Sequence, residues 1–254
     1  MNKPLILITN DDGITAPGIQ ALIDVAKEFG NILVVAPDGP QSGKGHAITI
    51  DNTLRAPKIT LPWGEGFACS GTPVDCVKLA VNVISKNNKP DLIISGINHG
   101  SNASVNVLYS GTMSAAVEGA LENIPSIGFS LLNHSIDADF EASKEIAKKV
   151  IPVILKNKLP ENVCLNVNIP KLQTNEIKGI KICRQAKANW EEEFDERKDP
   201  MGKDYYWLTG KFQNYDQGTD TDIWALENGY VSIVPIQTDM TAHGFISDLN
   251  KLTI

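Results

Sequence analysis

Residues 5–19 read LILITNDDGITAPGI. Leu5 to Thr9 is a continuous apolar, β-branched run of the kind that is buried on both faces of a parallel sheet. It stops at Asn10-Asp11-Asp12-Gly13. Pro17 then stands where a helix should begin, Ile19, Leu22, Ile23, Ala26 and Phe29 follow at helical spacing, and Gly30 closes the helix. A buried strand that feeds an amphipathic helix opens a βαβ unit, and the alternation continues along the chain. Further strands are expected at 32–36 (ILVVA), 91–96 (DLIISG), 124–130 (IPSIGFS), 163–170 (VCLNVNIP), 177–183 (IKGIKIC) and 230–236 (YVSIVPI). Helices are expected from Thr72-Pro73, over MSAAVEGALE (113–122), over 139–157 with a kink or interruption at Pro152, and over 222–228. Residues 47–69 read as β-rich, broken by Pro57 and Pro62. Apolar strands alternating with helices predict an α/β fold, a three-layer sandwich on a mostly parallel sheet.

The 254 residues suffice for one large α/β domain. Residues 1–130 are expected to form the core carrying the site, and 131–254 the remainder of the same domain. Within the latter, about 184–213 breaks the pattern with dense charge and then DPMGKDYYWLTG, a turn followed by an aromatic strand. A protruding hairpin-like arm that packs on a partner subunit and a surface loop both fit that stretch. The net charge of −7, with no Lys/Arg cluster, argues against a partner of duplex nucleic acid. No apolar run approaches the roughly 18 residues of a membrane span, and no leader pattern follows Met1, so no membrane is expected. Cys69, Cys76, Cys164 and Cys183 form no Cys-x-x-Cys pair and read as buried, reduced thiols of a cytoplasmic protein. The sequons at Asn102 and Asn133 read as chance matches.

Polar residues are loaded at the carboxyl ends of the first three buried strands: 10–13, 37–46 and 95–102. If those strands are parallel neighbours, the loops converge on one rim, where open α/β sheets bind ligands. Asp11 and Asp12 admit two readings. Asp-Asp-Gly can be a turn whose carboxylate caps the helix near Pro17. Alternatively, two carboxylates with Asn and Ser oxygens nearby form a site for a hard cation such as Mg²⁺, Mn²⁺ or Ca²⁺. The 37–46 loop resembles a phosphate-binding Gly-rich loop but fails the pattern: only three residues separate Gly39 from Gly43-Lys44, and Gly45 replaces the required hydroxyl residue. It reads as a loop that places Ser42 near an anion, or as a surface turn. His46 could bind phosphate or transfer a proton, but a structural histidine bonded to a carbonyl is the simpler reading; His99 reads likewise, although its neighbour Asn98 leaves it close to any site there. Tyr109-Ser110-Gly111-Thr112 enters an Ala-rich helix, where backbone N–H groups, hydroxyls and a glycine can hold an anion or merely cap the helix. Ser70-Gly71-Thr72 repeats that pattern and reads as a pocket wall or, more simply, as a cap; Asp220 and Asp222 also read as caps.

Six blocks together, ITNDDGITAPGI, VVAPDGPQSGKGHAITI, CSGTPVDCV, DLIISGINHGSN, YSGTMSAAVEGA and NGYVSIVPI, resemble the SurE family of stationary-phase survival nucleotidases over nearly the whole chain. DPMGKDYYWLTG is similar to the family's arm region. The resemblance implies a Rossmann-like core with a C-terminal oligomerisation arm and a homodimer or homotetramer. It implies a divalent-metal-dependent phosphatase acting on nucleoside 5′-monophosphates, with 3′-nucleotides and short polyphosphate as further substrates. It places one Mg²⁺ or Mn²⁺ ion per subunit on Asp11, Asp12, Ser42 and Asn98. Phosphate falls on Ser110, Gly111 and Thr112, with Asn98 contributing, and Asp11, Asp12 and Asn98 carry the catalysis. Either aspartate could orient a water or act as the nucleophile. Their adjacency, unlike the Asp-x-Asp of aspartyl-phosphate enzymes of the haloacid-dehalogenase style, favours the water. The competing readings are a nucleotide-sensing module without turnover and a dinucleotide-dependent oxidoreductase. The missing Gly-x-Gly-x-x-Gly after the first strand weighs against the oxidoreductase.

Overall fold

A computed structural model describes residues 3–135 and 137–252. In chain order the elements are β1 (Leu5–Thr9), α1 (Pro17–Ala26), β2 (Asn31–Pro37), β3 (Lys58–Leu61), β4 (Gly64–Cys69), α2 (Pro73–Leu79), β5 (Leu92–His99), α3 (Gly111–Leu121), β6 (Ser126–Leu131) and α4 (Glu141–Asn157). They continue as β7 (Val163–Ile169), β8 (Ile180–Ile182), β9 (Ala188–Lys198), β10 (Asp204–Asn214), α5 (Asp222–Glu227), β11 (Val231–Gln237) and α6 (His243–Leu249). Nine strands form one sheet in the order β3-β4-β2-β1-β5-β6-β7-β11-β8.

From β4 to β7 all neighbours run parallel. Numbered within that set of six, the order is 3-2-1-4-5-6, the Rossmann arrangement, whose switch point lies between β1 and β5. The alternation of side chains across β1 builds both outer layers. Ile6 and Ile8 pack with α1 and α4 on one face, and Leu7 packs with α2 and α3 on the other. The three-layer expectation therefore holds. Among the described residues no helix is long and apolar enough to cross a membrane, and all four cysteines are free and buried.

Several local expectations change. α4 runs through Pro152 without a break, although the proline removes one i→i−4 donor. Residues 47–57 form no strand, because β4 takes the edge of β2 that they would need. Side chains fasten that segment instead, with the Thr49 hydroxyl donating to Asp75 at 2.6 Å and the Arg55 amide to Ser70 at 3.0 Å. Of 177–183 only three residues pair, in parallel with β11. β11 itself runs antiparallel to β7. Residues after β11 wind into α6, none of whose side chains is buried. The stretch around 184–213 contains two paired strands: β9 and β10 form a separate antiparallel hairpin, closed by a turn in which Gly202 adopts φ +79°.

Candidate active site

β1, β2 and β5 are parallel neighbours, so the loops after β1 and β2 meet the third polar stretch at the switch point; β5 runs on to His99, which puts Asn98 on the strand and not in the loop after it. After β1 the turn is made by Asn10, not by the aspartates. Its side-chain amide donates to the Gly13 carbonyl at 2.9 Å and its oxygen accepts from the Gly13 amide at 3.2 Å. The N-cap of α1 is Ala16, with no side-chain bond. The helix-cap reading of Asp11 and Asp12 therefore fails, and both carboxylates are left to the rim.

Asp11 is 4% exposed. Burial pushes its carboxyl up to about 6; the Thr112 hydroxyl opposes that and neighbouring Asp12 adds to it. The Thr112 hydroxyl donates to Asp11 Oδ1 in a short hydrogen bond. Asp12 is also raised by burial, opposed by His99, whose charge and backbone amide both act on it. Asp12 Oδ2 is buried without a hydrogen-bond partner. Two desolvated, adjacent carboxylates with an orphaned oxygen form an electrostatic deficit that a cation would relieve.

α3 starts directly over Asp11. Ser110 caps it, its hydroxyl accepting from the Met113 amide at 3.0 Å. A Cβ on Gly111 would lie 2.6 Å from Asp11 Cβ, so glycine permits the close approach of the helix N-terminus to the carboxylate. The loop after β2 is tied to both neighbours. Gln41 N–H donates to the Asp11 carbonyl at 2.7 Å and Gly45 N–H to the Tyr109 carbonyl at 3.2 Å, which places Ser42 between them. Asn98 follows an irregularity in the pairing of β5 with β6 and donates to the Gly100 carbonyl at 3.0 Å.

Asp11, Ser42, Asn98 and Ser110 line one cleft of about 650 Å³, together with His99. Asp12, Gly111 and Thr112 are not part of that lining; Thr112 bonds to Asp11, Gly111 lies against it, and Asp12 follows it in the chain. Among the described residues no three His, Cys, Asp or Glu side chains converge as a metal cage. A cation here would therefore draw on Asn and Ser oxygens beside the carboxylate pair. His46 departs from its expectation. It meets the Glu118 carboxylate at 2.9 Å rather than a carbonyl. Ser70-Gly71-Thr72 behaves as expected, with Thr72 and Asp75 forming a reciprocal capping box.

Glu118 on α3 is 2% exposed and accepts from Lys78 on α2 at 2.6 Å as well as from His46. Burial alone would raise its carboxyl, but the bonds from His46 and Lys78 outweigh that and hold it below its ordinary value. This cluster clamps the 38–57 segment and α2 onto the helix that starts over Asp11. Glu118→Gln should lower the unfolding free energy by about 2 kcal/mol at pH 7. A carboxyl whose folded pKa is depressed contributes stability above its unfolded value and loses it as pH falls through the lowered folded value. The gap between wild type and variant in denaturant titrations should thus close below the ordinary value of 4.5. A gap constant across the acid limb would contradict the assignment.

The model of the family described as survival protein SurE matches residues 6–192. The chain belongs to the SurE family. Proteins named 5′-nucleotidase SurE from Flavobacterium johnsoniae and Christiangramia forsetii are 64% and 61% identical to it, covering 98% and 99% of this chain and 96% and 98% of theirs. The crystal structure of SurE protein from Aquifex aeolicus superposes with a TM-score of 0.85 at 40% identity, covering 98% of this chain and 99% of that one. Within this SurE chain, the apolar part of the cleft lining has no counterpart among the sequence expectations: Trp190, Phe212, Ile223 and Leu226. Trp190 lies in an acidic run and Ile223 and Leu226 in a six-residue helix, where no sequence pattern marks them as facing a ligand.

Proposed function

We propose that this SurE chain is a divalent-metal-dependent 5′-nucleotidase, hydrolysing nucleoside 5′-monophosphates to nucleoside and phosphate. The observation that carries the reading is the adjacent pair of buried Asp11, beneath the N-terminus of α3, and half-buried Asp12, with its orphaned oxygen, at the switch point. Its relatives' shared name, 5′-nucleotidase SurE, supports the reaction class. The donor set suits one Mg²⁺ or Mn²⁺ ion, which Asp11, Asp12, Ser42 and Asn98 would hold. When bound, such an ion supplies Lewis-acid polarisation of the phosphoryl group and lowers the pKa of a bound water.

The chain's own residues supply the rest. Ser110 and the first amides of α3 receive phosphate oxygens, aided by the helix dipole. The hydroxyl of Thr112, donated to Asp11, holds that carboxylate in place while its backbone joins the anion site. Asn98 reaches the phosphate from β5. One carboxylate of the pair orients the attacking water. Water adds to phosphorus, the bond from phosphorus to the nucleoside oxygen breaks, and the nucleoside leaves with a proton. 3′-Nucleotides and short polyphosphate present the same terminal phosphoryl group and fall within the reading.

Phosphate release from AMP and GMP with Mn²⁺ or Mg²⁺ should vanish in excess EDTA and return on adding metal. Full activity in EDTA would refute the metal dependence, and tight nucleotide binding without phosphate release would make the protein a sensor. We also propose that the β9–β10 hairpin is an oligomerisation arm of a homodimer or homotetramer in the cytoplasm. Phe194, Tyr206, Trp207 and Leu208 are 58–66% exposed there, more apolar surface than a lone hairpin should show to water. Deleting residues 192–210 should reduce the mass measured by light scattering; an unchanged mass would exclude the arm.

A further inference from the structure

The lining of the cleft mixes two chemistries: Asp11, Ser42 and Ser110 bring polar groups, and Trp190, Phe212 and Leu226 bring apolar surface. Trp190 belongs to the base of β9 and remains 41% exposed, so the core does not require it. Its orientation is nevertheless fixed. Its indole N–H donates to Asn106 Oδ1 at 2.8 Å, and Phe212 from β10 meets it edge-to-face with ring centres 5.4 Å apart. Asn106 sits in the short 3₁₀ turn Ser104–Leu108 that leads into Ser110 and Gly111. The aromatic lining is thereby tied to the segment that leads into Ser110.

A buried carboxylate holds both. Asp222 was expected to cap α5, but Thr221 does so, its hydroxyl accepting from the Trp224 amide at 3.2 Å. Asp222 is 1% exposed. One oxygen accepts from the Ser104 amide at 2.7 Å, and the other from the Ala186 amide at 2.9 Å and the Ile223 amide at 2.8 Å. The Ser104 hydroxyl returns a bond to the Ala186 carbonyl at 2.8 Å, with Ser104 held at φ +55°. Ala186 leads into the hairpin, and Ser104 leads into the 3₁₀ turn.

We propose that Trp190, buttressed by Phe212, is the surface on which the nucleobase stacks, and that Asp222 is a positioning residue that sets the platform's distance from the phosphate site. The inference rests on the nucleotidase reading above. Stacking on an aromatic face is tolerant of base identity, because every base has a π-face. The platform should therefore select nucleotides over base-free phosphate esters more than one base over another.

The test compares KM for AMP with the product-inhibition constant of inorganic phosphate, which occupies only the phosphate site. In Trp190→Ala the ratio of the two should rise about tenfold, within the range that loss of one stacked base gives. Trp190→Phe should restore it to within about threefold. Asp222→Asn should raise the same ratio, and the double variant should be no worse than Trp190→Ala, because both act on one contact. An unchanged ratio in Trp190→Ala, or additive effects in the double variant, would overturn the proposal. Should Asp222→Asn fail to fold, the two Trp190 variants still decide the platform. Wild-type protein that releases phosphate from no nucleotide would remove the nucleotidase reading itself, a result distinct from an active enzyme indifferent to Trp190.

Discussion

Asp11→Asn should reduce kcat on AMP by at least about two orders of magnitude, a few kcal/mol of barrier, with the fold retained. The side chain is nearly isosteric, so the core around β1 has no cavity to fill. The Thr112 hydroxyl can still donate to the amide oxygen. What changes is charge: the site loses one of two carboxylates and gains a buried N–H₂ group where the orphaned oxygen of Asp12 seeks a positive partner. Steady-state phosphate release with saturating Mn²⁺, beside a circular-dichroism melt, checks both halves. Turnover within threefold of wild type would mean that the chemistry is centred elsewhere in the cleft.

Gly111→Ala should cost activity on the order of a hundredfold while leaving most of the stability intact. The added methyl group would sit 2.6 Å from Asp11 Cβ and 3.0 Å from its Oδ2, so either the helix start or the carboxylate must move. The backbone conformation itself suits alanine, since Gly111 is the first residue of α3 and lies outside the left-handed region. The damage is therefore positional, and misplacement by about 1 Å is enough for a loss of that size. Kinetics should show the fall mainly in kcat. A variant with normal kcat would show that the α3 start and Asp11 do not act together.

The rim was legible because its strands are. β1 is a continuous apolar run that ends abruptly in a polar loop, β5 opens on another, Leu92–Ile94, before turning polar, and burial on both faces leaves parallel pairing as the simplest arrangement. Whether Asp11 and Asp12 cap a helix was open in the sequence, since the choice depends on whether Asn10 or an aspartate closes the turn. The Rossmann order was not readable from periodicity, because strand order is set by contacts across the sheet. The antiparallel insertion of β11 between β7 and β8 left no local mark for the same reason. β9 was obscured by composition: GluGluGluPheAsp has no alternation, as both faces of a hairpin outside the main sheet meet water. Asp222 looked like a cap because it precedes a helix, but its partner Ser104 is 118 residues away in sequence. Trp190 gained its meaning only through Asn106 and Phe212. The carboxylate pair was thus visible as chemistry, while the aromatic lining of the cleft had to be assembled by the fold.

A captured cation should neutralise the adjacent carboxylates of Asp11 and Asp12 at the switch point. Anomalous diffraction from crystals of the active protein grown with Mn²⁺ tests it directly. A single strong peak in contact with carboxylate oxygens of both Asp11 and Asp12 is the expected result. No peak there, in crystals whose dissolved protein still hydrolyses AMP, would contradict it.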